Sequence, residues 1–75
     1  MAMRMLPVSS SLIAGAEYDD SAQVLLVTFR SGARWAYGDA GRPFTAEDVD
    51  AFESASSKGA WFLQAVKGQF PERRL

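Results

Sequence analysis

Runs of apolar residues separated by turn-forming residues divide the first half of the chain into strand-like segments. Residues 12–18 are mostly small or apolar and lead into Asp19-Asp20-Ser21, whose side chains favour a turn by bonding nearby backbone. Residues 24–29 are rich in β-branched and aromatic types and are apolar at both parities, which indicates a central strand. After Arg30-Ser31-Gly32, where glycine can take a positive φ, residues 33–37 form a third segment. The pattern predicts a three-stranded antiparallel meander.

The spacing of apolar residues becomes helical after residue 43. Thr45 followed three residues later by Asp48 is typical of a helix N-terminus, because the Thr hydroxyl can accept a backbone N–H bond. Phe44, immediately before this cap, can pack against Val49. We expect this first helix to end at residues 54–56.

A second helix is predicted to begin near Ser57. Phe62 and Val66 lie four residues apart on one face, and Gly68 is a candidate stop. Because the strands precede both helices, we expect an α+β fold in which two short α-helices pack on one face of the three-stranded meander, in the order βββαα.

The length and composition favour one small domain spanning residues 1–75, with a flexible N-terminal segment at 1–8 and a C-terminal tail at 69–75. The chain is 48% hydrophobic, well above what a disordered segment carries. It contains no cysteine, so disulfides cannot stabilise it, and a secreted domain of this size would normally need them. With no signal-like apolar run near the N-terminus, the expected location is the cytoplasm, without membrane contact.

The residue types argue against catalysis. The chain has neither histidine nor cysteine, which removes the usual general base near neutral pH and the common nucleophiles and soft metal ligands. Asp19-Asp20 is more simply an acidic turn than a metal or acid–base pair, and Ser9-Ser10-Ser11 has no base in view. We therefore expect no enzyme activity, no catalytic residue, no metal and no cofactor.

Charge is distributed unevenly along the chain. The net charge is −1, but the last quarter carries Lys58, Lys67, Arg73 and Arg74 against Glu72 alone. Such a group could make three or four phosphate contacts, enough for weak, salt-dependent binding of nucleic acid. A solubilising tail would have the same composition, so both interpretations are open.

Two further features are candidates for binding. Ser57-Lys58-Gly59 combines free backbone N–H groups, a positive helix end and an ammonium, which outlines an anion site, although Ser57 could simply cap the helix. Trp35 and Tyr37 share one face of a strand and are either core residues or a platform on which bases stack, with Arg30 and Arg34 nearby. Trp61 likewise has two interpretations: it lines the edge of the core, or it forms an exposed binding patch.

Several short elements, in order along nearly the whole chain, also resemble a known family, the KTSC domain. This family occurs alone in small bacterial and phage proteins and at the C-terminus of some lysyl-tRNA synthetases. The matching elements are Pro7-Val8-Ser9-Ser10-Ser11-Leu12-Ile13, Tyr18-Asp19, Phe29-Arg30-Ser31-Gly32, Trp35-Ala36-Tyr37, Ser57-Lys58-Gly59-Ala60-Trp61-Phe62 and Lys67-Gly68-Gln69-Phe70-Pro71.

The resemblance implies a domain that has no established activity and for which RNA binding has been suggested from its association with a tRNA synthetase. The leading hypothesis is therefore an RNA-binding module, for tRNA or single-stranded RNA, that uses Ser57, Lys58, Gly59, Lys67, Arg73 and Arg74, with Trp35 and Tyr37 as candidate stacking residues. The alternative is a module for a protein partner or for self-association, acting through a sheet edge or an aromatic patch at Trp61.

Overall fold

The computed structural model describes residues 3–8 and 10–75. Five strands and two helices form within this part of the chain. In order, they are β1 (Met3–Leu6), β2 (Ile13–Asp19), β3 (Val24–Phe29), β4 (Arg34–Tyr37), α1 (Ala46–Ser54), α2 (Lys58–Ala65) and β5 (Glu72–Arg74).

The strands form one antiparallel sheet in the order β1-β2-β3-β4-β5. This confirms the α+β class, but the predicted count of three strands is wrong. The two additional strands are the edges, and they come from the segments predicted as a flexible N-terminal segment (1–8) and a tail (69–75). β5 consists of Glu72, Arg73 and Arg74, which have little intrinsic strand preference, so pairing with β4 determines its conformation.

Local signals at the turns and helix starts are confirmed. Gly32 has a φ of +94°, as the turn after β3 requires. Thr45 Oγ1 accepts a hydrogen bond from the Asp48 backbone N–H at 3.3 Å, while Asp48 Oδ2 accepts one from the Thr45 N–H at 2.9 Å. This reciprocal pair is a capping box, and it fixes the start of α1 at Ala46.

The two faces of the sheet differ in what covers them. On one, which we call the covered face, side chains of β2, β3 and β4 pack against those of the helices. Phe62 of α2 makes edge contacts with Phe29 and Tyr37, with ring centroids 5.5 and 5.0 Å apart. The largest fully buried side chains of the core are Tyr37, Phe44, Phe52, Phe62, Ile13, Leu25, Val27, Val49 and Val66.

The other face, which we call the open face, carries the residues of opposite parity. The strand register places Met5, Glu17, Leu26, Ala36 and Arg73 in one row across all five strands.

In the described part of the chain, no helix is long and apolar enough to cross a membrane.

Candidate functional site

The Ser10 loop, which joins β1 to β2, is a packing centre for distant parts of the chain. Ser10 Oγ accepts backbone hydrogen bonds from Leu12 (3.0 Å) and Ile13 (3.3 Å), and its carbonyl oxygen accepts one from Arg30 Nε at 3.0 Å. A Cβ added to Gly59 would lie 2.9 Å from Ser10 Oγ, so a glycine lets α2 approach this loop. Three of the segments that resemble the KTSC domain, those containing Ser10, Arg30 and Gly59, therefore meet at this loop. Ser9, the predicted neighbour in this motif, lies outside the described residues.

The start of α2 lines a shallow cleft of about 440 Å³, which we call the Ser57 cleft. Ser57 is the N-cap, and its Oγ accepts a bond from the Ala60 N–H at 3.3 Å. Lys58 is half-buried and donates from Nζ to the Ala55 carbonyl oxygen at 3.5 Å. The residues that line this cleft are Ser10, Ser11, Leu12, Ser56, Ser57, Lys58, Gly59, Ala60 and Leu63.

A second cleft of about 310 Å³, the Trp35 cleft, adjoins the first. The buried rings of Tyr37 and Phe62 contribute to its wall, together with the half-buried Trp35. Exposed charged side chains also line it, those of Arg30, Lys67 and Glu72. The two clefts share Ser11, Leu12 and Leu63, and together form one groove along α2, which we call the α2 groove.

The predicted aromatic residues separate into three environments. Tyr37 is 2% exposed, so its ring belongs to the core and offers no free surface for stacking. Trp35 remains half-buried and faces the cleft that carries its name. Trp61 packs against Phe52, with ring centroids 5.7 Å apart, and lines neither cleft of the α2 groove.

The predicted basic residues do not form one patch. Lys67 lines the Trp35 cleft, and Lys58 lines the Ser57 cleft. Arg74 lies opposite Trp35 in the strand register, which places it on the same side of the sheet as the groove. Arg73 lies opposite Ala36 and therefore belongs to the open face. The C-terminal arginines thus point to two different surfaces.

Sequence reasoning missed Leu12 and Leu63, which join the two clefts. Leu63, which is 53% exposed, lies on α2, and Lys67 lies in the turn just after this helix. They are four residues apart in the sequence, a spacing that in a helix brings side chains to one face. That spacing was a usable signal. The contribution of Leu12 had no such signal, because it depends on the approach of α2 to the β1–β2 loop.

The side chains of Tyr37 at the groove and Asp19 in a distant turn have pKa values shifted from the ordinary ones. Burial raises the pKa of Tyr37 to about 12, and the negative charge of Glu72 adds to the effect. At the far end of β2, Asp19 Oδ1 accepts bonds from the Ala22 N–H and from both the hydroxyl and the N–H of Ser21. These bonds lower the pKa of Asp19 and show that its carboxylate organises a turn.

Comparison with known proteins identifies the family. The model of the KTSC domain matches residues 9–70. A KTSC domain protein from Yersinia pestis, whose crystal structure is known, is 34% identical, with a TM-score of 0.84 over 99% of each chain. No curated protein is significantly similar to this chain. On the family match and the similarity in structure, the chain belongs to the KTSC domain family.

Proposed function

We propose that this KTSC domain binds RNA in the α2 groove, as a module without chemistry of its own. The observation that carries the proposal is the Trp35 cleft, where a partly exposed indole lies beside Arg30 and Lys67. Proteins bind unpaired bases by stacking them on aromatic rings while basic side chains hold the phosphates. A cleft of about 310 Å³ offers space for a planar base, and two basic side chains line it.

The Ser57 cleft would extend this contact along the strand. It adjoins the Trp35 cleft through Ser11, Leu12 and Leu63, and it contains the N-terminal end of α2, where backbone N–H groups favour an anion. Lys58 adds a positive charge, and the Ser10, Ser11 and Ser56 hydroxyl groups can bond phosphate or ribose oxygens. In this arrangement a base would occupy one end of the groove and a neighbouring phosphate the other.

The number of charges predicts modest affinity. Four basic side chains lie on the groove side of the molecule, those of Arg30, Lys58, Lys67 and Arg74, and Glu72 opposes them. Three or four phosphate contacts to a single strand give a slope of about −2 to −3 for log K against log salt concentration. Binding should therefore be detectable at low salt and weak at moderate salt.

The absence of histidine and cysteine supports a binding role without catalysis. A hydrolase or transferase would need a group that ionises near neutral pH, and two of the remaining candidates, Asp19 and Ser10, accept backbone hydrogen bonds in turns. The edge strand β5 gives little support to the alternative of a protein partner. It is three residues long, and all three residues are charged and exposed, which is one way in which proteins protect an edge from pairing.

The experiment is a titration of labelled single-stranded RNA, and separately of tRNA, at low and moderate salt. Lys67→Ala and Arg74→Ala remove cations from the groove side, and we expect each to weaken binding about threefold to tenfold. Arg73→Ala removes the same charge from the open face and is expected to leave binding unchanged. No binding at low salt, or equal losses in all three variants, would contradict the groove as the RNA site.

A further inference from the structure

The open face carries apolar side chains that no other part of the described chain covers. In the described residues four large apolar side chains are exposed, and two of these, Met3 (44%) and Met5 (71%), lie on β1 with this face's parity. Leu75, 52% exposed, joins them because its N–H bonds to the Arg34 carbonyl oxygen and continues the β4–β5 pairing. Leu26, half-buried, lies at the centre of the face. A surface of this kind is typical of an interaction site.

Charges on the open face are separated by sign. Glu17 and Asp19 lie on β2, on one side of the central strand β3. Arg34 on β4 and Arg73 on β5 lie on the other side. Within residues 3–8 and 10–75 the one ion pair joins Arg4 to Glu53, which leaves these four charges without an ion-pair partner in that part of the chain. The face therefore presents an acidic half and a basic half with apolar side chains between and beside them.

We propose that a second copy of the chain docks on the open face, with the two sheets face to face about a two-fold axis parallel to β3. This axis exchanges the two halves, so the acidic half of one copy lies over the basic half of the other. The axis lays β2 of one copy over β4 of the other, and β1 over β5. In the cross-strand row Glu17 therefore lies over Ala36 of the second copy, one strand away from Arg73 and within reach of that long side chain, and the two Leu26 side chains meet near the axis. An axis perpendicular to the strands would instead set like charges over each other.

The size of the face sets the expected affinity. The five strands are three to seven residues long, and at ordinary strand spacing and rise they give a face of roughly 24 by 15 Å. Two such faces would bury on the order of 1,000 Å² in total, the lower limit for a specific interface. We therefore expect a reversible dimer that forms at micromolar or higher concentration and dissociates on dilution.

Charge exchange tests the dimer and its axis together. Glu17→Arg sets two arginine side chains against each other across the interface, and Arg73→Glu sets two glutamates against each other. Each variant alone should therefore dimerise at least about tenfold more weakly. An equimolar mixture of the two variants restores opposite-charge contacts in a mixed dimer. Sedimentation velocity over a concentration series, with circular dichroism to check the fold of each variant, measures all three samples.

Recovery of the dimer in the mixture, and in neither variant alone, is the expected result. A wild-type protein that stays monomeric at the highest concentration, or a mixture that associates no better than its components, would overturn the proposal. So would loss of RNA binding in monomeric Arg73→Glu, since that would make the open face a nucleic-acid surface. We expect Glu17→Arg to bind RNA as the wild type does, because Glu17 lies on the open face and not in the α2 groove. A failure of the dimer would then be distinguishable from a failure of the proposed RNA site.

Discussion

The two faces of the sheet are built from alternating residues of the same strands, yet their environments differ. On β3, Leu25 and Val27 of the covered face are 0% and 1% exposed, whereas their neighbour Leu26 on the open face is only half-buried. The covered face holds the aromatic core, and the open face holds charged side chains and exposed methionines. The comparison indicates that most of the core lies on one face, while the other keeps apolar and charged side chains exposed.

The α2 groove lies at the margin of the covered face. Phe62, with no exposed surface, is followed directly by Leu63, which is 53% exposed and lines both clefts. One turn of α2 therefore contributes both to the core and to the proposed binding surface. Substitutions of neighbouring residues in this helix can separate folding from binding.

The largest expected effect is that of Phe62→Ala. This change removes a ring that packs against Phe29 and Tyr37, and loss of a buried phenylalanine costs about 3–5 kcal/mol in folding free energy. For a domain this small, that is a large part of the total stability. Urea unfolding followed by circular dichroism should show a variant that is unfolded or close to it.

Leu63→Ala is the matched control for Phe62→Ala. Because Leu63 is exposed, its stability should change by less than about 0.5 kcal/mol, while RNA binding weakens if the groove is the site. Equal destabilisation by the two substitutions would contradict the assignment of Phe62 to the core and Leu63 to the groove.

A smaller effect is expected where α2 meets the Ser10 loop. In Gly59→Ala the new methyl group would lie 2.9 Å from Ser10 Oγ, so the hydroxyl must rotate and lose its bonds to the Leu12 and Ile13 N–H groups, or the helix must shift. Two neutral hydrogen bonds contribute about 2 kcal/mol, and the better helix propensity of alanine returns about 1 kcal/mol. The net expectation is a destabilisation of about 1 kcal/mol in urea unfolding.

A double-mutant cycle with Ser10→Ala isolates the cause of this effect. Without the Ser10 hydroxyl, Gly59→Ala should become neutral or slightly stabilising, because only the helix propensity remains. Gly15→Ala, within β2, serves as the control: a Cβ there has no atom within 4 Å, so this change should be neutral or stabilise by up to about 1 kcal/mol, and its effect should not depend on Ser10→Ala. Strictly additive effects of Ser10→Ala and Gly59→Ala would show that the two residues do not interact.

This contact also shows what the sequence could and could not predict. The turn at Gly32 and the capping box of Thr45 and Asp48 are local, and the sequence predicted them correctly. The edge strand β5 was missed, because Glu72–Arg74 becomes a strand only by pairing with β4. The α2 groove was only partly anticipated, because Leu12, Trp35 and Leu63 are brought together by the tertiary fold. The sequence shows which residues are charged or aromatic, but the strand register determines which of them lie on the same surface.

At neutral pH the smallest expected effect is that of Tyr37, which lies where the covered face meets the Trp35 cleft, because its contribution appears only at alkaline pH. Its pKa is raised to about 12 in the folded protein, against about 10 in an unfolded chain. Above pH 10 the unfolded state loses the phenolic proton first, so stability falls as pH rises from about 10 to about 12 and is unaffected by this group below that range. Tyr37→Phe removes the titrating group, and in the described residues its hydroxyl makes no hydrogen bond that the change would break.

Tyr37→Phe should therefore unfold at nearly the wild-type urea concentration at neutral pH and lose less stability than wild type between about pH 10 and about pH 12. Tyr18→Phe is the contrasting variant, because the Tyr18 hydroxyl donates a buried hydrogen bond to the Phe44 carbonyl oxygen at 2.6 Å. Leaving that carbonyl unpaired should cost about 1–3 kcal/mol already at neutral pH. If Tyr37→Phe and wild type instead lose stability in parallel at alkaline pH, the Tyr37 phenol is solvated in the folded state and the Trp35 cleft extends further into the covered face than its buried ring indicates.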